Sequence, residues 1–150
     1  MGAGRGRGLQ LHMVEKQLNI LLVEDDQVDV MNVKRAFEKN RITNPLFVAG
    51  DGIEGLQMLR DGRVPGDRRL VLLDLNMPRM NGIEFLRELR RDADLQHTPV
   101  VVLTTSNDER DKIEAYNLNV AGYLLKPVTF INFVELMAAL NKYWSLVELP

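Results

Sequence analysis

Four short apolar runs in this chain end on side chains able to do chemistry. Leu70-Val71-Leu72-Leu73 ends on Asp74, with Asn76, Pro78 and Asn81-Gly82 close behind. Asn19-Ile20-Leu21-Leu22-Val23 ends on Glu24, Asp25 and Asp26. Val100-Val101-Val102-Leu103 ends on Thr104, and Val120-Ala121-Gly122-Tyr123-Leu124-Leu125 ends on Lys126. A carboxylate at the end of a buried strand is costly unless it is paired or liganded. Several carboxylates gathered at one point repel and raise one another's pKa unless a cation neutralises them. Oxygen donors suit a hard divalent ion, and Mg²⁺ takes one or two carboxylates plus waters. No His or Cys stands among these ends, which argues against zinc. An aspartate nucleophile, a magnesium ion, a lysine and a hydroxyl together suit phosphoryl transfer onto a carboxylate. Taken singly, each charge could equally end a strand or cap a helix; the four strand ends together favour a site.

Such a site needs elements that bring the four ends together. Short continuous apolar runs suggest strands buried on both faces, the usual state of a parallel sheet. A second strand, Leu46 to Ala49, follows Pro45. Between the strands the spacing turns helical. Val30, Val33, Ala36 and Phe37 mark a helix over Asp29 to Asn40, and Ile53, Leu56 and Leu59 mark one that stops near Asp61-Gly62. Ile83, Phe85, Leu86 and Leu89 mark a third helix, ending near Asp92. A fourth is short and polar, capped by Asn107 or Asp108 and carrying Ile113, Ala115 and Tyr116. Thr129 caps a fifth, with Phe130, Phe133, Val134, Met137, Leu140 and Trp144 at helical spacing. Thr98 to Leu103 and Val120 to Leu125 are read as the fourth and fifth strands. Strand then helix, five times over, builds a parallel sheet with helices on both faces and right-handed crossovers. All strand ends then share one edge, where ligands bind in open α/β sheets.

Composition narrows the class. The chain has 150 residues, 45% apolar and 27% charged, as expected of one globular domain. A net charge of −2 gives no general drive toward nucleic acid or membrane. There are no cysteines, so disulfides and thiolate chemistry are excluded. No apolar run approaches the roughly 20 residues that span a bilayer, and the first residues do not read as a secretory signal; a cytoplasmic protein is expected. Residues 1–16 read as a flexible leader. Gly2, Gly4, Gly6 and Gly8 alternate there with Ala3, Arg5 and Arg7, RNA contact being the alternative, and Met13 is a possible start. The folded domain is expected over 17–144 and an apolar tail over 145–150.

The segments ILLVEDD, LVLLDLNMPRMNG, VVLTTS and GYLLKP resemble the receiver domain of two-component response regulators. Thirty residues separate Asp74 from Thr104 and twenty-two separate Thr104 from Lys126, as the resemblance leads one to expect. It implies a flavodoxin-like (βα)5 sandwich with strand order 2-1-3-4-5. It implies that Asp74 is the phosphoacceptor and that Glu24 and Asp25 are the acidic pair holding Mg²⁺, joined by Asp74 and the backbone carbonyl of Asn76. Asp26 falls one place beyond the pair, atop the next loop. Thr104 and Lys126 match the hydroxyl and lysine that sense the phosphoryl group. Tyr123 matches an aromatic switch position, a half-buried strand tyrosine being the alternative. Asn76 and Ser106 occupy positions that tune phosphoryl lifetime, and Pro127 is expected after a cis peptide. Asn44-Pro45, Arg91-Asp92-Ala93-Asp94-Leu95 and Tyr143-Trp144 resemble single-domain receivers paired with phytochrome-type histidine kinases.

The end at Pro150 and the acid-base balance lead to an expectation of output by protein contact and not through DNA. The expected surface is the fourth helix, fifth strand and fifth helix, with the tail Tyr143 to Pro150 supporting a homodimer; alternatively Trp144 and Leu146 fold back onto the core. Two other functions fit parts of the pattern. A magnesium-dependent phosphohydrolase with an Asp nucleophile would want a second Asp where Asn76 stands. A receiver-shaped module that never takes phosphate would not need the acidic pair, Thr104 and Lys126.

Overall fold

The structure, a computed structural model, describes residues 17–149. The leader expected over residues 1–16 and the terminal Pro150 lie outside the described residues. Five strands, β1 (Asn19–Val23), β2 (Leu46–Ala49), β3 (Arg69–Leu73), β4 (Val100–Thr104) and β5 (Gly122–Leu125), form one parallel sheet in the order β2-β1-β3-β4-β5. They alternate with helices α1 (Gln27–Lys39), α2 (Gly52–Arg60), α3 (Gly82–Arg91), α4 (Glu109–Asn117) and α5 (Phe130–Leu146). The doubly wound sheet and its strand order are those expected.

Alternation along each strand divides the core in two. Leu21, Val23, Val71, Leu73, Val100 and Val102 face α2, α3 and α4. Ile20, Leu22, Leu70, Leu72, Val101 and Leu103 face α1 and α5. Each such side chain contributes about 1.5–3 kcal/mol by leaving water, which makes the sheet a rigid base for its ends. Every helix starts just after a strand, so every N-terminus lies at the same edge of the sheet. Asp26, Asp51, Asn81, Asp108 and Thr129 cap them by accepting backbone N–H bonds.

Several details depart from the sequence reading. Ile53 is exposed, and α2 buries Gly52, Gly55, Leu56, Met58 and Leu59 instead. A β-carbon at Gly55 would lie 3.1 Å from Val23 and from Phe85, so α2 approaches the sheet and α3 through a glycine that carries no hydrophobic signal. Ile113 and Tyr116 are exposed, leaving Ala115 as the buried residue of α4. The ladder of β4 begins at Val100, just after Pro99, which has no N–H to donate. That of β5 begins at Gly122 and not at Val120. Helix α5 runs on to Leu146, into the segment expected as tail. Trp144 is buried on the α1 side, its ring 6.1 Å from that of Phe37, and Leu149 packs on the same cluster, while Leu146 is exposed. The alternative of folding back onto the core thus holds for Trp144 and not for Leu146. The bond before Pro127 is trans, since no described peptide is cis; trans is the lower-energy form even before proline.

Candidate functional site

The four strand ends meet. Glu24 leaves β1 with its N–H still donated to Ala49, and it is buried. Asp25 is exposed beside it. Asp26 caps α1, accepting from the N–H groups of Val28 and Asp29. Asp74 leaves β3 with its N–H donated to the carbonyl of Val23, and it too is buried. Its Oδ1 accepts the backbone N–H of Asn76 at 3.4 Å. Immediately behind, α3 begins at Gly82, where a β-carbon would stand 2.6 Å from the Asp74 carbonyl oxygen and 2.7 Å from Leu75 Cα. Only glycine lets the helix start this close to the acceptor's own backbone. Thr104 is fully buried at the end of β4, its Oγ1 accepting the N–H of Ser106 at 3.2 Å. Lys126 follows β5, its N–H donated to the Thr104 carbonyl.

The Lys126 ammonium ties these ends together. Its Nζ lies 2.7 Å from Glu24 Oε1, 2.7 Å from Asp29 Oδ2 and 3.5 Å from Asp74 Oδ2. Burial pushes its pKa down, but the hydrogen bonds to Asp29 and Glu24 outweigh that and hold it above the usual lysine value, so it stays charged. Burial pushes Glu24 up to about 7; the hydrogen bond from Lys126 works against this and the charge of Asp74 adds to it. The ammonium thus faces the carboxylates of Glu24, Asp29 and Asp74, and Asp25 lies close to Glu24 and Asp74, so that acidic groups outnumber the one cation. Carboxylate oxygens of Glu24, Asp25 and Asp74 lie within 4.8 Å of one another. The set is oxygen-only, and one member is open to solvent, which fits a hard divalent cation that keeps some of its water.

Tyr123 is half-buried against the α2–α4 side, and its hydroxyl donates to the carbonyl of Ser106 at 2.8 Å. Burial raises its pKa, against the pull of that hydrogen bond; the carboxylates of Asp111, Asp108 and Asp74 raise it further. The Ser106 hydroxyl donates to Asp111 at 2.6 Å. Ser106 therefore connects Thr104, Tyr123 and the first turn of α4. The residue that the sequence reading missed is Asp29. Its signal was the fourth carboxylate in six residues, Glu24, Asp25, Asp26 and Asp29; what hid its role is that its partner lies 97 positions away.

Comparison with known proteins settles the family. The family described as response regulator receiver domain matches residues 20–141. This chain belongs to it. Among its relatives, the probable methanogenesis regulatory protein FilR2 of Methanothrix harundinacea is 39% identical over 127 residues, covering 83% of this receiver and 82% of that protein. Response regulator Rcp1 of Synechocystis is 36% identical over 135 residues, 87% of this receiver and 92% of Rcp1. The phosphorylated cyanobacterial phytochrome response regulator RcpA superposes with a TM-score of 0.80 at 32% identity, over 90% of this receiver and 99% of RcpA. The Mn²⁺-bound form of Rcp1 superposes with a TM-score of 0.77 at 35% identity, over 90% and 99%. Receivers of this kind are phosphoacceptors of two-component signalling, and this receiver is a response regulator of that class, with the flavodoxin-like fold. Among the described residues no helix is long and apolar enough to cross a membrane.

Proposed function

We propose that Asp74 is the phosphoacceptor, taking a phosphoryl group from a phosphohistidine of a sensor kinase, and that a phytochrome-type kinase is the donor. The observation that carries this is a buried carboxylate 3.5 Å from a buried ammonium, at the sheet edge where Glu24, Asp25 and Thr104 also end. An oxygen of Asp74 attacks phosphorus; the P–N bond to the imidazole breaks, and its electron pair stays on the nitrogen, which then takes a proton. Lys126 and Thr104 are suited to donate hydrogen bonds to the transferred phosphoryl oxygens. Mg²⁺ held by Glu24, Asp25 and Asp74, with the Asn76 carbonyl, would offset the remaining negative charge. In the return step water attacks phosphorus, the P–O bond to Asp74 breaks, and inorganic phosphate leaves. The likeness to the phytochrome regulators Rcp1 and RcpA supports the choice of donor.

Exposed apolar residues follow the site residues on two neighbouring helices: Val28 and Met31 on α1, and Val128 and Ile131 around the start of α5. These helices pack together, Asn40 donating to the Val134 carbonyl and Arg35 lying 4.6 Å over the Phe130 ring. Such a surface suits a protein donor more than a small phosphate ester. Output runs by protein contact through α4, β5 and α5, where Ile113, Tyr116, Leu125 and Leu146 are exposed, with a cytoplasmic homodimer as the working form. Incubation with labelled acetyl phosphate or phosphorylated kinase, plus magnesium, should place label on the chain and none on Asp74→Asn; label persisting in that variant refutes the assignment. Sedimentation of the phosphorylated chain at monomer mass refutes the homodimer.

A further inference from the structure

We propose that Asp29 is a positioning residue: it holds Lys126 at rest and competes with a phosphoryl group on Asp74 for the ammonium. This rests on the phosphoacceptor reading and extends it to a carboxylate outside the trio of Glu24, Asp25 and Asp74. A lysine ammonium has three N–H donors. Here two are committed, at 2.7 Å each, to Glu24 and Asp29, while the acceptor oxygen stands farther off at 3.5 Å. At rest, then, the ammonium gives its short hydrogen bonds to carboxylates other than the acceptor.

The two holders differ. Glu24 is buried at the end of β1 and its second oxygen accepts the N–H of Asp26. Asp29 sits on the solvent side, in the first turn of α1, with 26% of its side chain exposed against 6% for Lys126. Its contact is desolvated only from the lysine side, so it is the one that gives way at least cost. A phosphoryl group on Asp74 brings three strong acceptors and further negative charge. A short charge-assisted bond from the ammonium to those oxygens draws it away from Asp29. This favours the unphosphorylated state, so Asp29, acting through Lys126, limits how long and how fully the site stays phosphorylated.

The test follows decay of the label on the full chain after acetyl phosphate and magnesium are removed. Asp29→Asn should lengthen the half-life about fivefold and raise steady-state occupancy. Asp29→Glu, which keeps the charge, should stay within about twofold of the parent. In a Lys126→Gln background, Asp29→Asn should change the half-life less than about twofold, because the ammonium it acts through is gone. An unchanged or shorter half-life in Asp29→Asn, or equal lengthening without Lys126, overturns the role of Asp29 and leaves Asp74 as acceptor. Absence of any label on the parent chain, or label that survives Asp74→Asn, overturns the phosphoacceptor reading and this proposal with it.

Discussion

Helices α3 and α4 lie on the same face of the sheet and are nearly equal in length, yet they are held in opposite ways. In α3 the run Gly-Ile-Glu-Phe-Leu-Arg-Glu-Leu buries Gly82, Ile83, Phe85, Leu86 and Leu89, and Asn81 and Glu84 close its start with reciprocal bonds. In α4 the run Glu-Arg-Asp-Lys-Ile-Glu-Ala-Tyr-Asn buries Ala115. The shorter helix is held at its ends. Asp108 caps one end beside Ser106 and Asp111. At the other, Arg90 of α3 donates to the carbonyls of Leu118 and Asn119, as well as to those of Gln96 and Thr98. Arg87 and Glu114 pair between the two helices. Thus α3 belongs to the frame that fixes Asp74, whereas α4 can be released at its N-terminal end by changes at Ser106. Few buried apolar side chains mean a low cost of local opening.

The contrast can be broken or sharpened by substitution, with stability read from denaturant unfolding. Phe85→Ala empties a fully buried ring site in α3 and should cost about 4 kcal/mol; a cost under about 1 kcal/mol would show that α3 is not part of the frame. Arg90→Ala leaves the carbonyls of Leu118 and Thr98 without their donor and should cost about 2 kcal/mol, and Arg90→Lys should recover less than half, because an ammonium cannot reproduce the planar fork. Ile113→Ser in α4 should change stability by less than about 0.5 kcal/mol. A large loss there would mean that α4 is packed as firmly as its neighbour.

Much of this was legible in the sequence because burial and chemistry were written in the same short segments. Residues 70 to 74 and 100 to 104 each combine a buried strand with a reactive end, so the four-part edge followed from apolar runs alone. The caps Asp108 and Thr129 were legible by residue type. Asp29 was not, because its bond to Lys126 depends on how the start of α1 sits across the end of β5, which no local pattern encodes. The buried face of α2 is not legible at Ile53, since Gly55 packs on Val23 and Phe85, and Gly52 on Met80, by being small. Trp144 fell on the apolar stripe of α5, yet a terminal aromatic reads equally as exposed tail until Phe37 is seen beside it.

Arg90 carries one more consequence. Its partners are four carbonyl dipoles, with no carboxylate among them. Salt screens exposed charge pairs over a Debye length of about 10 Å at 0.1 M, but it has little effect on short, half-buried bonds to carbonyls. As ionic strength rises, the Arg87–Glu114 pair weakens while the Arg90 joint holds. The C-terminal end of α4 is therefore joined to α3 by bonds that salt barely weakens, whereas the Arg87–Glu114 tie along the body of the helix is the one that salt loosens.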